Sequence, residues 1–248
     1  MSDNTSTPSN ASAPSGGHVH VHHHHHHHAH AHGHGGNFAE ANKEFYNATV
    51  DDFDNYPHAK ERGIRTALAI REAVPLNKES SSVLEFACGT GLVIKEFIPY
   101  VKEIVGIDIS PAVVERCNKR FKELGANDDC YAVTANIVAE KDTVFPGRKF
   151  DVVYCASAYH HLDSPEEITK LLADFVKPGG SLVVVDNIMA EGKTVDEKHK
   201  AYVTRYGFTE EDMKDLFTKA GLVFVSYAQV PPDEGDNDIF ISKALKSA

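Results

Sequence analysis

The stretch Val83-Leu84-Glu85-Phe86-Ala87-Cys88-Gly89-Thr90-Gly91 decides how the chain is read. Val83 to Phe86 is a short apolar run of the kind that forms a buried strand. Ala87 to Gly91 is a turn of small residues, and Leu92 to Val101 is an amphipathic segment that predicts a helix. Glycines in such a turn let a ligand approach the backbone. A helix starting behind the turn would offer free N–H groups and the positive end of its dipole. Dinucleotide-binding turns require G-x-G-x-x-G, in which the third glycine allows helix and strand to pack closely. Ile94 stands at that third position, so the dinucleotide fingerprint fails.

Outward from this stretch the pattern alternates. Glu103 to Asp108 reads as a second buried strand ending in an acid, 19 residues beyond Gly89. A carboxylate at the end of a second strand can accept both hydroxyls of a ribose. Ser110 and Pro111 supply the cap and first turn of a helix over Ala112 to Leu124, which leaves Asp108 available for a ligand. Cys130 to Thr134 is a third strand and Phe150 to Ala156 a fourth. A helix over Pro165 to Val176 stops at Lys177-Pro178-Gly179-Gly180, before a strand over Ser181 to Asp186. Thr209 caps a helix that ends at Ala220-Gly221, with Asp212 closing the capping box. Leu222 to Val230 and Asp238 to Leu245 are the last two strands. Only a loop joins them, so they should pair antiparallel. Upstream, Phe38 to Tyr46 predicts a short helix, and His58 to Val74 a longer one stopped by Pro75. Strands alternating with helices predict an α/β, doubly wound, mostly parallel sheet with helices on both faces. Ligands would sit beyond the carboxyl ends of the first and fourth strands.

Three segments carry a family resemblance. These are Glu85-Phe86-Ala87-Cys88-Gly89-Thr90-Gly91, then Phe150-Asp151-Val152-Val153-Tyr154 with His160-His161-Leu162, then Val176-Lys177-Pro178-Gly179-Gly180-Ser181-Leu182. In order and spacing they resemble the class I S-adenosylmethionine-dependent methyltransferases, small-molecule, ubiquinone-biosynthesis-like type. Ala87 stands where that family usually has its first glycine. The resemblance implies a seven-stranded Rossmann-like sheet with the last strand inserted beside the fifth. It also implies that Glu85, Ala87, Gly89 and Gly91 cradle the methionine part of S-adenosyl-L-methionine. Asp108 and its neighbour Ile109 would take the ribose, and Asn136 with Ile137 the adenine. Asn136 replaces the family's usual acid and reads equally as a turn residue. Tyr56 would close on the methionine end or pack as part of a helical edge. Ala156 to His161 would floor the methyl site, with His160 and His161 as candidate catalytic bases or as packed polar residues. The D/N-P-P-Y signature of base and amide N-methyltransferases is absent, since the chain reads Ala156-Ser157-Ala158-Tyr159. The implied acceptor is therefore a small molecule.

The chain has 248 residues and a formal net charge of −11. Asp3 is the single charged side chain of residues 1–36, so the acidity belongs to the part after them. An acidic domain without a Lys/Arg cluster argues against a nucleic-acid partner. Cysteines at 88, 117, 130 and 155 show no C-x-x-C spacing and read as reduced thiols. With no apolar run of membrane-spanning length and no signal peptide pattern, the expected location is cytoplasmic, away from membranes. Residues 1–36 are expected to be a disordered tail, and 37–248 the methyltransferase domain. Twelve of the 16 histidines fall between His18 and His34. Seven of them run unbroken: His22, His23, His24, His25, His26, His27 and His28. That run is a purification tag, neutral low-complexity sequence, or a set of ligands for a divalent transition metal. Two other functions therefore stand beside methyl transfer. One is a metal-binding protein whose tail handles Ni, Zn or Cu; the other is a non-catalytic methyltransferase-like protein.

Overall fold

The structure, a computed structural model, describes residues 38–236 and 238–248. The candidate metal ligands His22, His23, His24, His25, His26, His27 and His28 lie outside the described residues, as does the rest of the histidine tract. Among the described residues, no group of three or more His, Cys, Asp or Glu side chains is placed to hold a metal ion. Seven strands form one sheet: β1 (Ser82–Phe86), β2 (Glu103–Asp108), β3 (Cys130–Thr134), β4 (Phe150–Ala156), β5 (Val176–Asn187), β6 (Val223–Gln229) and β7 (Ile239–Leu245). Their order is β3-β2-β1-β4-β5-β7-β6. The first five pair in parallel, and β7 enters antiparallel between β5 and β6. The doubly wound sheet, with the last strand inserted beside the fifth, is the expected one.

The central strands are buried on both faces, whereas the edge strand β6 is largely exposed, and alternate residues of the central strands feed two separate cores. Val83, Ile104, Val152 and Val183 point into one, together with Ile70, Cys117 and Phe121. Ile70 belongs to helix α2 (Ala59–Ala73), and the other two to α3 (Pro111–Glu123). Leu84, Val105, Val153 and Leu182 point into the other, against Leu172 and Phe217 of helices α4 (Pro165–Phe175) and α5 (Glu210–Lys219). The capping box of α5 forms as expected, with Thr209 accepting from the Asp212 N–H. The chain reverses direction between β1, which winds towards β2 and β3, and β4, which winds towards β5. That switch opens a crevice at their carboxyl ends.

Three expectations are corrected. The first helix, α1, runs Phe38–Phe53 rather than stopping at Tyr46. Nothing between Asn47 and Phe53 breaks a helix, and the chain turns only at Asp54-Asn55 ahead of Pro57. The segment after the glycine turn holds no α-helix. It forms a single 3₁₀ turn, Ile94–Phe97, because Pro99 leaves it too little length. The helix-dipole contribution expected behind the turn therefore falls away. Finally, Lys177 to Gly180 belong to β5 rather than ending a helix. They form an irregularity in its pairing with β4, where Gly180 lies so close to the Asp151 carbonyl that a Cβ would sit 2.7 Å from it.

Candidate cofactor and acceptor site

The crevice widens into a cavity of about 580 Å³, well within the size of small-molecule sites. The sequence-predicted residues Tyr56, Glu85, Ala87, Gly89, Asp108 and Ile109 line it. So do Asn136, Ile137, Ala156, His160 and His161. Gly91 is the exception. A Cβ there would lie 2.7 Å from the Cys117 sulfur, so this glycine serves the packing of the turn against α3 and not the cavity wall.

The turn bends through three left-handed residues: Ala87 (φ 57°), Gly89 (φ 51°) and Gly91 (φ 83°). An alanine thus takes the conformation that the glycine it replaces would adopt freely, at a cost of about 1–2 kcal/mol. Hydrogen bonds pin the turn to the end of β2. Cys88 N–H donates to the Ile107 carbonyl (3.1 Å) and Gly89 N–H to Asp108 Oδ2 (3.0 Å). Gly106 makes this docking possible, since a Cβ on it would meet the Cys88 sulfur at 2.7 Å. At Gly89 the direction of a missing Cβ is open, with Phe53 the nearest group at 3.9 Å.

Asp108 is not free, as the sequence suggested. Its second oxygen accepts from Ser110 N–H at 3.0 Å, and only 9% of the residue is exposed. Burial raises its carboxyl above the usual range despite the three backbone N–H groups that favour the anion. The carboxylate therefore ties the glycine turn to the start of α3 and keeps acceptor capacity for the cavity. Glu85 is more deeply buried. Burial holds its carboxyl well above the usual range; the nearby Cys117 adds to this and the Tyr154 hydroxyl opposes it. Its Oε2 has no hydrogen-bond partner among the described residues. Asn136 acts as a turn residue, its side-chain oxygen accepting from Val138 N–H (3.1 Å) and Ala139 N–H (3.3 Å). Ile137, buried beside it, presents an apolar face.

The sequence offers the helices ahead of β1 as a lid over the cofactor or as packing on one edge, and leaves the choice open. Helix α1 lies along the cavity and, with Asp54 just beyond it, reaches the loops that follow β1, β2, β4 and β5. Asn47 accepts from Ser110 Oγ (2.7 Å) and from Ala112 N–H (3.2 Å) at the start of α3. Asp54 binds Thr90 of the glycine turn, and Arg120 and Arg116 of α3. Phe45 stacks on Tyr202, with ring centres 4.2 Å apart. Between them Asn42 lines the cavity with a buried side-chain oxygen that is unpartnered among the described residues. Arg62, which also lines the cavity, is held by Asp236 (2.9 Å) and Asn187 (2.9 Å).

The two adjacent histidines differ sharply. His161 Nδ1 lies 2.7 Å from the Tyr202 carbonyl, which can only accept, so Nδ1 carries the proton. Burial and the neighbouring His160 hold His161 down to about 3, so the ring is neutral. Its Nε2 therefore accepts from the Tyr46 hydroxyl, 3.1 Å away. His160 Nδ1 instead faces Asp186 Oδ1 at 2.7 Å, and its backbone N–H donates to the other carboxylate oxygen at 3.2 Å. Asp186 is wholly buried at the end of β5. Burial pulls its carboxyl up, but the facing His160 and the N–H donors around it outweigh that and hold it below the usual range.

A seven-stranded sheet with this order, bearing a glycine turn and a carboxylate at the switch point, defines the class I methyltransferase architecture. The chain belongs to the family described as methyltransferase domain, matched over residues 56–227. It is 36% identical over 156 residues to an uncharacterized methyltransferase of Schizosaccharomyces pombe, covering 58% of this chain and 54% of that one. It is 29% identical over 164 residues to the phosphoethanolamine N-methyltransferase of Plasmodium falciparum, covering 63% and 58%. The chain thus spans about half the length of the curated relatives it matches. Among solved structures it resembles magnesium protoporphyrin IX methyltransferase of Synechocystis, crystallised with S-adenosylhomocysteine. The TM-score is 0.66 at 15% identity, over 85% of this chain and all of that one. At that identity the likeness concerns the fold. No described helix is long and apolar enough to cross a membrane.

Proposed function

We propose that the chain transfers a methyl group from S-adenosyl-L-methionine to a small-molecule acceptor bound in the same cavity. The observation that carries this is the unpartnered Glu85 oxygen beside a turn that is open where Gly89 lacks a side chain. A buried acceptor without a donor is costly unless a ligand supplies one. Glu85 would take the amino group of the methionine part, Gly89 would admit its chain, and Asp108 would accept from the ribose. Ile137, with Asn136 turned into its own loop, would face the adenine. Bound there, the cofactor supplies a methyl group on a positively charged sulfur, already reactive towards a nucleophile. The protein's part is then to orient the acceptor and exclude water, which α1 does from above and residues Ala156 to His161 from below. Family membership supports the reading, as do relatives named for phosphoethanolamine and for ubiquinone biosynthesis.

Calorimetry tests it: S-adenosylmethionine and S-adenosylhomocysteine should bind and NAD should not. Binding of NAD alone would overturn the reading. For the tail, the proposal is that His22 to His28 bind divalent transition metals through neutral imidazoles without altering turnover. Deleting residues 1–36 should abolish metal retention and leave cofactor affinity unchanged.

A further inference from the structure

We propose that His160 is the general base of the reaction, that Asp186 is its positioning residue, and that the acceptor atom is a phenolic hydroxyl oxygen. This rests on the methyl-transfer reading above. Both histidines line the cavity, yet their partners give them opposite roles. His161 is locked between a carbonyl and a tyrosine hydroxyl with both nitrogens engaged, so it has no lone pair left to offer. His160 is paired with a carboxylate, which only accepts, so Nδ1 donates and the free lone pair lies on Nε2. No described residue bonds to that nitrogen. Asp186 holds the ring through Oδ1 and the backbone N–H of the same residue through Oδ2, and the turn carrying His160 is further held by Thr204, whose N–H and hydroxyl both donate to the His160 carbonyl (2.9 and 3.0 Å).

The charge arithmetic favours the same assignment. A proton accepted by His160 forms an imidazolium beside a buried anion, turning an uncompensated charge into a pair. A proton on His161 would find no anion in contact. Other titratable or charged groups face His160 from several sides: His161 on its own turn, His199, Asp196 and Tyr206 across a smaller adjoining cavity, and Arg62, paired with Asp236 and bonded to Asn187 beside Asp186. Of these described groups, Asp186 alone touches the ring with a carboxylate.

The acceptor class follows from the walls. Phe38, Tyr46, Phe53 and Leu162 give the cavity an aromatic and apolar lining, against which a ring can pack. A phenol arrives protonated and is a weak nucleophile until the proton leaves. As its oxygen forms the bond to the methyl carbon, the O–H proton passes to His160 Nε2. The electron pair of the broken carbon–sulfur bond stays on sulfur, and the imidazolium later releases the proton to water.

The test uses the full chain, labelled S-adenosylmethionine, and two acceptor panels: simple phenols and catechols, and primary amines. Methyl label should appear on oxygen. His160→Gln should lower kcat at least 100-fold. Asp186→Asn should lower kcat and move the ascending acid limb of the pH–rate profile to lower pH, because the imidazolium loses its anion. His161→Gln should leave the position of that limb unchanged. Transfer to amines alone, transfer to no hydroxyl of the panel, or an unmoved limb in Asp186→Asn overturns the proposal. Calorimetry with S-adenosylhomocysteine runs alongside. Loss of binding in the unmodified chain would instead sink the methyl-transfer reading, and retained binding in each variant shows that the site is still assembled.

Discussion

Two glycines two positions apart in the same turn do different work, and the difference is measurable. At Gly89 an added side chain points into open cavity, so Gly89→Val should fold with a penalty of about 1–2 kcal/mol from its left-handed backbone. It should lose cofactor binding almost entirely, because the branched side chain occupies the ligand's space. At Gly91 a Cβ meets the Cys117 sulfur at 2.7 Å inside the core. Gly91→Ala should therefore lower stability by about 1–3 kcal/mol through overpacking, added to the backbone strain. The melting temperature and the cofactor Kd of the two variants should thus move in opposite proportion; a Gly89→Val protein that binds normally would make the turn structural only. Asp108 belongs between these cases. Its two backbone bonds mean that its removal should cost stability as well as affinity, where the sequence alone suggested affinity only.

At the scale of elements, α1 is the piece that the sequence least revealed. Its apolar residues are spaced to cover a ligand cavity rather than a strand, so the helical periodicity showed only its first half, and its contacts with the cavity loops are distant in sequence. Asn47 reaches Ser110, Tyr46 reaches His161, and Asp54 reaches Thr90 and Arg120. No local pattern announces such pairs. The strands were legible because each is a short apolar run bounded by turn residues, and a sheet buried on both faces needs nothing subtler. The 3₁₀ turn after Gly91 was misread because its amphipathic spacing is helical while its length, cut by Pro99, is not. Asp54 makes the lid testable. Asp54→Ala removes the tie to the glycine turn and two of the ties to α3 at once, leaving those of Asn47 and Asp51. We expect the dissociation rate of bound S-adenosylhomocysteine, followed by stopped flow, to rise about tenfold to a hundredfold, equivalent to roughly 1.4–2.8 kcal/mol. The association rate should change less. An unchanged dissociation rate would mean that α1 does not gate the site.

For the molecule as a whole, the buried ionisable groups around the cavity set how stability responds to acid. Two push one way. His161 is held down to about 3, whereas the unfolded chain titrates near 6.5, so between those values the unfolded state binds a proton that the folded state refuses. Stability should fall as pH drops through that window, by at most about 1.4 kcal/mol per pH unit. Asp186, held below the usual carboxylate range, adds a loss of the same sign at lower pH, below about 3.8. Glu85 works in the opposite direction. Its raised carboxyl keeps a proton in the folded state above 4.5, where the unfolded chain has lost it, so it favours folding as pH falls towards that value. The net curve mixes these contributions, but a difference measurement separates them. The unfolding free energy of His161→Gln should lie below that of the unmodified chain at pH 7, because the bridge from Tyr46 to the Tyr202 carbonyl is broken. That gap should shrink as pH is lowered from 7 to 4, since the variant no longer carries the proton-refusing imidazole while Glu85 and Asp186 are common to both. Urea unfolding of the two proteins across that range measures the gap directly. A constant gap would show that His161 accepts a proton as readily in the folded protein as in the unfolded chain. It would also remove the ground for assigning the base role to His160 by contrast with its neighbour.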